Sequence, residues 1–172
     1  MKNLSLLSLG LLLLVAAACM TTSQPVGLAT LAPTSGSNAH GTVKLTQLAG
    51  GGVQMKIDLM GVPPGTHGFH IHEKGDCGDN GNAAGGHFNP TAMQHGAPDM
   101  MPHHAGDFGN VTAEANGEVH TTVTTQSITL SAGEASAIGH AFILHGGTDD
   151  LKSQPSGNAG PRIACGVVTL QQ

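Results

Sequence analysis

From residue 53 to residue 59 the chain alternates without a break: Val53, Met55, Ile57 and Leu59 are apolar, and Gln54, Lys56 and Asp58 are polar. A period of two marks a strand with one face on a core and one in water, and does not fit the 3.6-residue period of an amphipathic helix. Val43 and Leu45 repeat the pattern between Thr42, Lys44 and Thr46, and Gly50, Gly51 and Gly52 suit the positive φ of a hairpin turn between the two stretches. Further strands are expected over Gly68 to His72, Gly109 to Ala113, Glu118 to Thr125, Gly139 to His145 and Ile163 to Leu170, with Asn116-Gly117 as a tight turn. No segment carries a convincing helical stripe. Several short strands with polar, glycine-rich connections predict an all-β fold, an antiparallel sandwich or barrel.

The first residues read differently. Lys2 is followed by an uncharged apolar run from Leu4 to Val15 and then by Ala16-Ala17-Ala18-Cys19, the order of a secretory signal peptide over residues 1–18. The run is shorter than the about 20 apolar residues that a spanning helix needs. Small residues just before a cysteine also resemble a lipobox, which makes Cys19 a lipidation candidate; plain cleavage after Ala18 is the alternative. Residues 19–39, rich in Thr, Ser, Pro and Gly, are expected to form a flexible tether, leaving residues 40–172 as a single domain. The expected location is the periplasm or cell envelope, with a lipid anchor.

Formal net charge is −5 with only six Lys and Arg, which argues against a nucleic-acid partner. With Cys19 lipidated or cleaved off, Cys77 and Cys165 remain, and an oxidising compartment allows them to pair.

Histidine dominates the polar composition, with eleven in the chain. On a strand, His70 and His72 share one face while Phe69 and Ile71 take the other. The long connection from Glu73 to Asp107 breaks the strand pattern and adds His87, His95, His104 and Asp107. The three-residue spacing of His104 and Asp107 lets both reach one ion, and a four-coordinate nitrogen and carboxylate set suits zinc. His145 ends a later strand, whereas His140 falls on the opposite face and reads as an ordinary surface histidine. Any one of these histidines alone is weak evidence; the whole set is hard to dismiss.

The runs Gly68-Phe69-His70-Ile71-His72-Glu73, Gly86-His87-Phe88-Asn89-Pro90, His104-Ala105-Gly106-Asp107 and Gly157-Asn158-Ala159-Gly160-Pro161-Arg162-Ile163-Ala164-Cys165-Gly166 resemble copper,zinc superoxide dismutase, of the bacterial exported or lipoprotein type, in order and across nearly all of Gly41 to Leu170. The resemblance implies an eight-stranded antiparallel Greek-key β-barrel with long metal-binding loops, a sandwich architecture of which that enzyme is a known example. It implies that His70, His72, His87 and His145 hold copper, that His87, His95, His104 and Asp107 hold zinc, and that His87 bridges the two ions. It implies an orienting role for Asp149 on His70 and His95, a Cys77–Cys165 disulfide, and catalytic roles for Arg162, beside the copper, and for His87, as proton donor. The implied reaction is dismutation of superoxide to dioxygen and hydrogen peroxide, protecting the envelope from extracytoplasmic superoxide, by a protein able to form a homodimer. The stretch from Asp149 to Arg162 departs from that pattern, carrying Lys152 as its one other cation. A non-catalytic copper- or zinc-binding envelope protein on the same scaffold is the competing reading; it would need no Arg162.

Overall fold

The computed structural model describes residues 24–34 and 36–171; Cys19 and the signal-like run lie outside them. The strands are β1 (Val26–Pro33), β2 (His40–Gln47), β3 (Val53–Met60), β4 (Gly65–His72), β5 (Asp107–Ala113), β6 (Val119–Thr125), β7 (Ala141–His145), β8 (Arg162–Val167) and β9 (Thr169–Leu170). The single helical element among the described residues is a 3-10 segment at Asp79–Ala84. Eight strands run in the order β5-β4-β7-β8-β1-β2-β3-β6, and the short β9 pairs with β1. All pairings among these strands are antiparallel. β5 and β6, at the two ends of the order, pack together and nearly close the barrel. The connections β3 to β4 and β6 to β7 each pass over two strands of that circle, which gives the Greek-key winding.

Alternation does its expected work in β3, where Val53, Met55, Ile57 and Leu59 are buried and the residues between them are not. The hairpin before it turns through Gly51 and Gly52 at positive φ, with Leu48 N–H donating to Gly52 O. A side chain at Gly52 would run into Thr125 O, so this position needs glycine twice over.

Residues 26–33, expected as part of a flexible tether, instead form β1. Residues 26–31 of β1 pair with β2, and Ala32 and Pro33 pair with β8, so this strand joins the two halves of the barrel. Its buried positions are Gly27, Ala29 and Leu31. Two of these are too small to register as a hydrophobic stripe, which is why the alternation reads as tether composition. The strand expected from Ile163 to Leu170 is in fact two: Val168 turns inward, its N–H donating to His140 O and its carbonyl accepting from Gly139 N–H, so β8 stays with β7 while β9 crosses to β1.

Aromatic mass is scarce, with four Phe and no Trp or Tyr, and three of the Phe sit together. Phe69 stacks on Phe142 with ring centroids 5.0 Å apart, and Phe108 tilts against both. These rings lie on β4, β5 and β7, on the core face directly behind His70 and His72, and give that face a rigid floor.

A chain starting at Gln24 is expected to unfold cooperatively, whereas a chain starting at Thr34 loses β1 and with it the cooperative transition. Far-UV dichroism through a urea titration checks this, and matching transitions would show β1 to be dispensable.

Candidate metal centre

β4 is buried on both faces: Phe69 and Ile71 on the core, His70 and His72 under the long loop. The loop returns alongside β4, with Phe88 N–H donating to Ile71 O, Ile71 N–H to Gly106 O, and Glu73 N–H to Gly86 O. These bonds set His87 opposite His72, and ring centroids of His70 and His87 come within 4.0 Å. β7 delivers His145 from the neighbouring strand.

Two groups result. Ligand atoms of His70, His72, His87 and His145 lie within 4.8 Å of one another, as do those of His87, His95, His104 and Asp107, and all seven residues are buried. His87 belongs to both. Six ring nitrogens are buried without a hydrogen-bond partner: His70 Nδ1, His72 Nε2, His87 Nε2, His145 Nε2, His95 Nδ1 and His104 Nδ1. The first four are one from each member of the first group, and the last two belong to the second.

The opposite nitrogens fix the tautomers. His72 Nδ1 donates to Gly85 O at 2.9 Å and His145 Nδ1 to Gly160 O at 3.2 Å. A carbonyl cannot donate, so each Nε2 keeps a lone pair facing the group's centre. Asp149 does the same from below, its Oδ2 accepting from His70 Nε2 at 2.8 Å and its Oδ1 from His95 Nε2 at 3.0 Å. One buried carboxylate thus orients a ring in each group.

The second group fits a tetrahedral ion. Asp107 Oδ1 stands 2.7 Å from His87 Nδ1, 3.1 Å from His95 Nδ1 and 3.3 Å from His104 Nδ1. Four donors at about 2.0 Å from zinc would be roughly 3.3 Å apart. Asp107 Oδ2 is turned away and accepts from His104 N–H and Gly96 N–H, which aims Oδ1 inward. The first group, four imidazole nitrogens with one side open to a cleft, suits copper.

Protonation follows the geometry. Burial pulls His72 far below the ordinary histidine value, and pulls His145 down to about 3, the neighbouring imidazoles adding to the effect. Burial also lowers His87, to about 4, although the Asp107 hydrogen bond opposes it. Burial would lower His95 too, but that ring lies between Asp107 and Asp149, and the two carboxylates raise it to about 9. Burial works against the charge of Asp107 and Asp149, yet hydrogen bonds from the surrounding histidines hold both well below the usual carboxylate range.

Arg162 borders the open side. Its Nη1 donates to Gly81 O and its Nη2 to Gly85 O, both at 2.6 Å, so Gly85 O serves Arg162 and His72 together. Burial lowers the guanidinium pKa. Arg162, His72, His87 and His145 share a cleft of about 480 Å³ with Glu73, Pro155 and Ser156 along its walls. The Cys77–Cys165 disulfide is formed, and ties the loop carrying Gly81 and Gly85 to β8, the strand of Arg162.

The structure brings together each side chain that the sequence singles out among the described residues. It adds two features that the sequence did not flag: the Gly85 carbonyl and Gln154, whose amide meets the His95 main chain. Neither lies in a run with a readable motif. His140 packs on Phe88 and donates to Glu73 O, away from both groups.

Over residues 39–168 the sequence matches the family described as copper/zinc superoxide dismutase (SODC). It is 42% identical over 143 residues to the extracellular Cu-Zn superoxide dismutase of Haemonchus contortus, the match covering 78% of each chain. Its fold is similar to the crystal structure of the clock protein EA4, with a TM-score of 0.77 and 36% identity, covering 87% of this chain and 97% of that one.

Zinc entering the metal-free protein at neutral pH must displace the proton on His95 Nδ1, because a group with a pKa of about 9 is protonated there. Apparent zinc affinity should therefore rise with pH up to about 9 and fall as the solution is acidified below it, with about one proton released at pH 7. Calorimetry in buffers of different ionisation enthalpy counts that proton, and an unchanged apparent enthalpy would refute it.

Proposed function

The chain belongs to the copper/zinc superoxide dismutase family, and from that premise we propose that His70, His72, His87 and His145 hold copper while His87, His95, His104 and Asp107 hold zinc. The protein is a Cu/Zn superoxide dismutase, an oxidoreductase with copper and zinc as cofactors. The observation that carries the residue assignment is the convergence of six unpartnered buried nitrogens on two points that share His87.

When bound, copper supplies a centre that alternates between two oxidation states, whereas zinc is redox-inert. Across one cycle two superoxide ions and two protons become one dioxygen and one hydrogen peroxide. The chain's own part is to bring the anion in, orient it and supply a proton. Arg162 does the first two. Its guanidinium is pinned by two carbonyls and faces the cleft, so a small anion meets a positive charge already in place, in a protein whose net charge repels it. His87 does the third. Its Nε2 faces the copper-side group and its Nδ1 faces Asp107. A proton taken up at Nε2 lies beside the cleft, and burial of the ring favours giving it to the departing peroxide.

The same reading places the enzyme outside the cytoplasm, held to the envelope through lipidated Cys19 and consuming superoxide there. A relative named as extracellular, the disulfide and the signal-like run before Cys19 support it. Cys19→Ser is expected to move the protein from the membrane fraction to the soluble fraction; identical fractionation of both proteins would mean cleavage without a lipid.

Superoxide dismutation by the purified protein is expected to be absent metal-free or with zinc alone, and to appear with copper plus zinc. Arg162→Ala should lower the rate constant about tenfold, with little change in how that constant depends on ionic strength. Pulse radiolysis reads both. Stoichiometric copper binding without turnover would leave a metal-binding protein on this scaffold.

A further inference from the structure

We infer that Gln154 is a positioning residue for His95: its amide locks the main chain of His95 and so holds that ring at the zinc side of the centre. The inference rests on the reading of His95 as a zinc ligand. His95 sits in an irregular stretch, residues 92–97, that has no strand of its own. Its main chain is paired all the same. His95 N–H donates to Gln154 Oε1 at 2.9 Å, and Gln154 Nε2 donates to His95 O at 2.9 Å. One amide thus takes both the N–H and the C=O of one residue, the exchange an opposing residue makes in an antiparallel ladder. Gln154 Nε2 also donates to Lys152 O at 3.2 Å, which holds the amide in its plane.

The ring of His95 is gripped from the same loop. Asp149, five residues earlier, accepts from His95 Nε2. The loop passes close enough to do both because residue 157 is glycine at φ +70°: a Cβ there would collide with Asp149 Oδ1 and come within 2.7 Å of His95 Nε2. Directly after Gln154 the chain continues into Pro155 and Ser156, which wall the cleft beside Arg162. Gln154 therefore links the position of one zinc-side ring to the wall of the substrate cleft. The chemistry is specific to an amide. A carboxylate in its place accepts from His95 N–H and then sets an acceptor against His95 O.

The test compares wild type, Gln154→Ala, Gln154→Glu and His95→Ala. Each is loaded with Co(II) in place of zinc for its visible spectrum, and with zinc for its release rate to a chromophoric chelator; metal-free samples are melted in parallel. Gln154→Ala should release zinc roughly tenfold faster and shift the Co(II) bands, with metal-free melting close to wild type, and Gln154→Glu should fall between. If the alanine variant does not fold, Gln154→Glu carries the same comparison. Wild-type release and spectrum in the Gln154 variants, with binding lost in His95→Ala, would overturn the positioning role alone. A wild-type spectrum in His95→Ala would overturn the ligand assignment, and the inference with it.

Discussion

Six imidazole nitrogens buried without a hydrogen-bond partner are the constraint on which this molecule turns. A buried polar atom left unpaired costs roughly 1–3 kcal/mol, so the four with no polar atom beside them, on His70, His72, His87 and His145, already weigh against the whole stability of an ordinary domain, about 5–15 kcal/mol, while His95 Nδ1 and His104 Nδ1 lie against Asp107 Oδ1. A chain that carries such a cost needs partners of another kind. Two ions sharing His87 would take up the free lone pairs and replace the proton on His95 Nδ1, so metal binding and folding draw on the same free energy.

The rest of the barrel can be read as what makes that cost bearable before metal arrives. Asp149 and Asp107 hold four imidazoles between them, His95 from both sides, through contacts of 2.7 to 3.3 Å, and the Gly85 and Gly160 carbonyls hold two others. Behind them Phe69, Phe108 and Phe142 keep β4 from relaxing toward the core. The Cys77–Cys165 bridge closes 88 residues, for which the chain-entropy estimate is about 4 to 5 kcal/mol. Rigidity is thus concentrated on the side of the molecule where polar groups are least satisfied.

What could be read in the sequence follows the same division. His70 and His72 were legible because a strand has a period of two, and β3 because its buried residues are Val, Met, Ile and Leu. His87, His95 and His104 sit in a loop without periodicity; spacing pairs His104 with Asp107 at the start of β5, and only resemblance to a known pattern joins His87 and His95 to them. β1 was hidden because Gly27 and Ala29 bury backbone rather than bulk. Gln154 was hidden because its partner is a main-chain amide 59 residues away, and any residue can supply one.

On the proposed role of Arg162, steering of the anion would be local for the same reason. Only Lys152 accompanies Arg162 in the loop from residue 149 to 162, and Lys152 points to solvent beside Gln154 rather than into the cleft. That loop therefore adds no second cation to the cleft of a chain of net charge −5. What remains is one guanidinium held at fixed distance from His72 through their shared Gly85 carbonyl. Because that carbonyl lies in the segment that the disulfide ties to β8, the placement of the attracting charge is set by covalent and hydrogen-bond geometry instead of by the number of charges. Such a charge acts within a Debye length, about 8 Å at physiological ionic strength, where added salt screens it least.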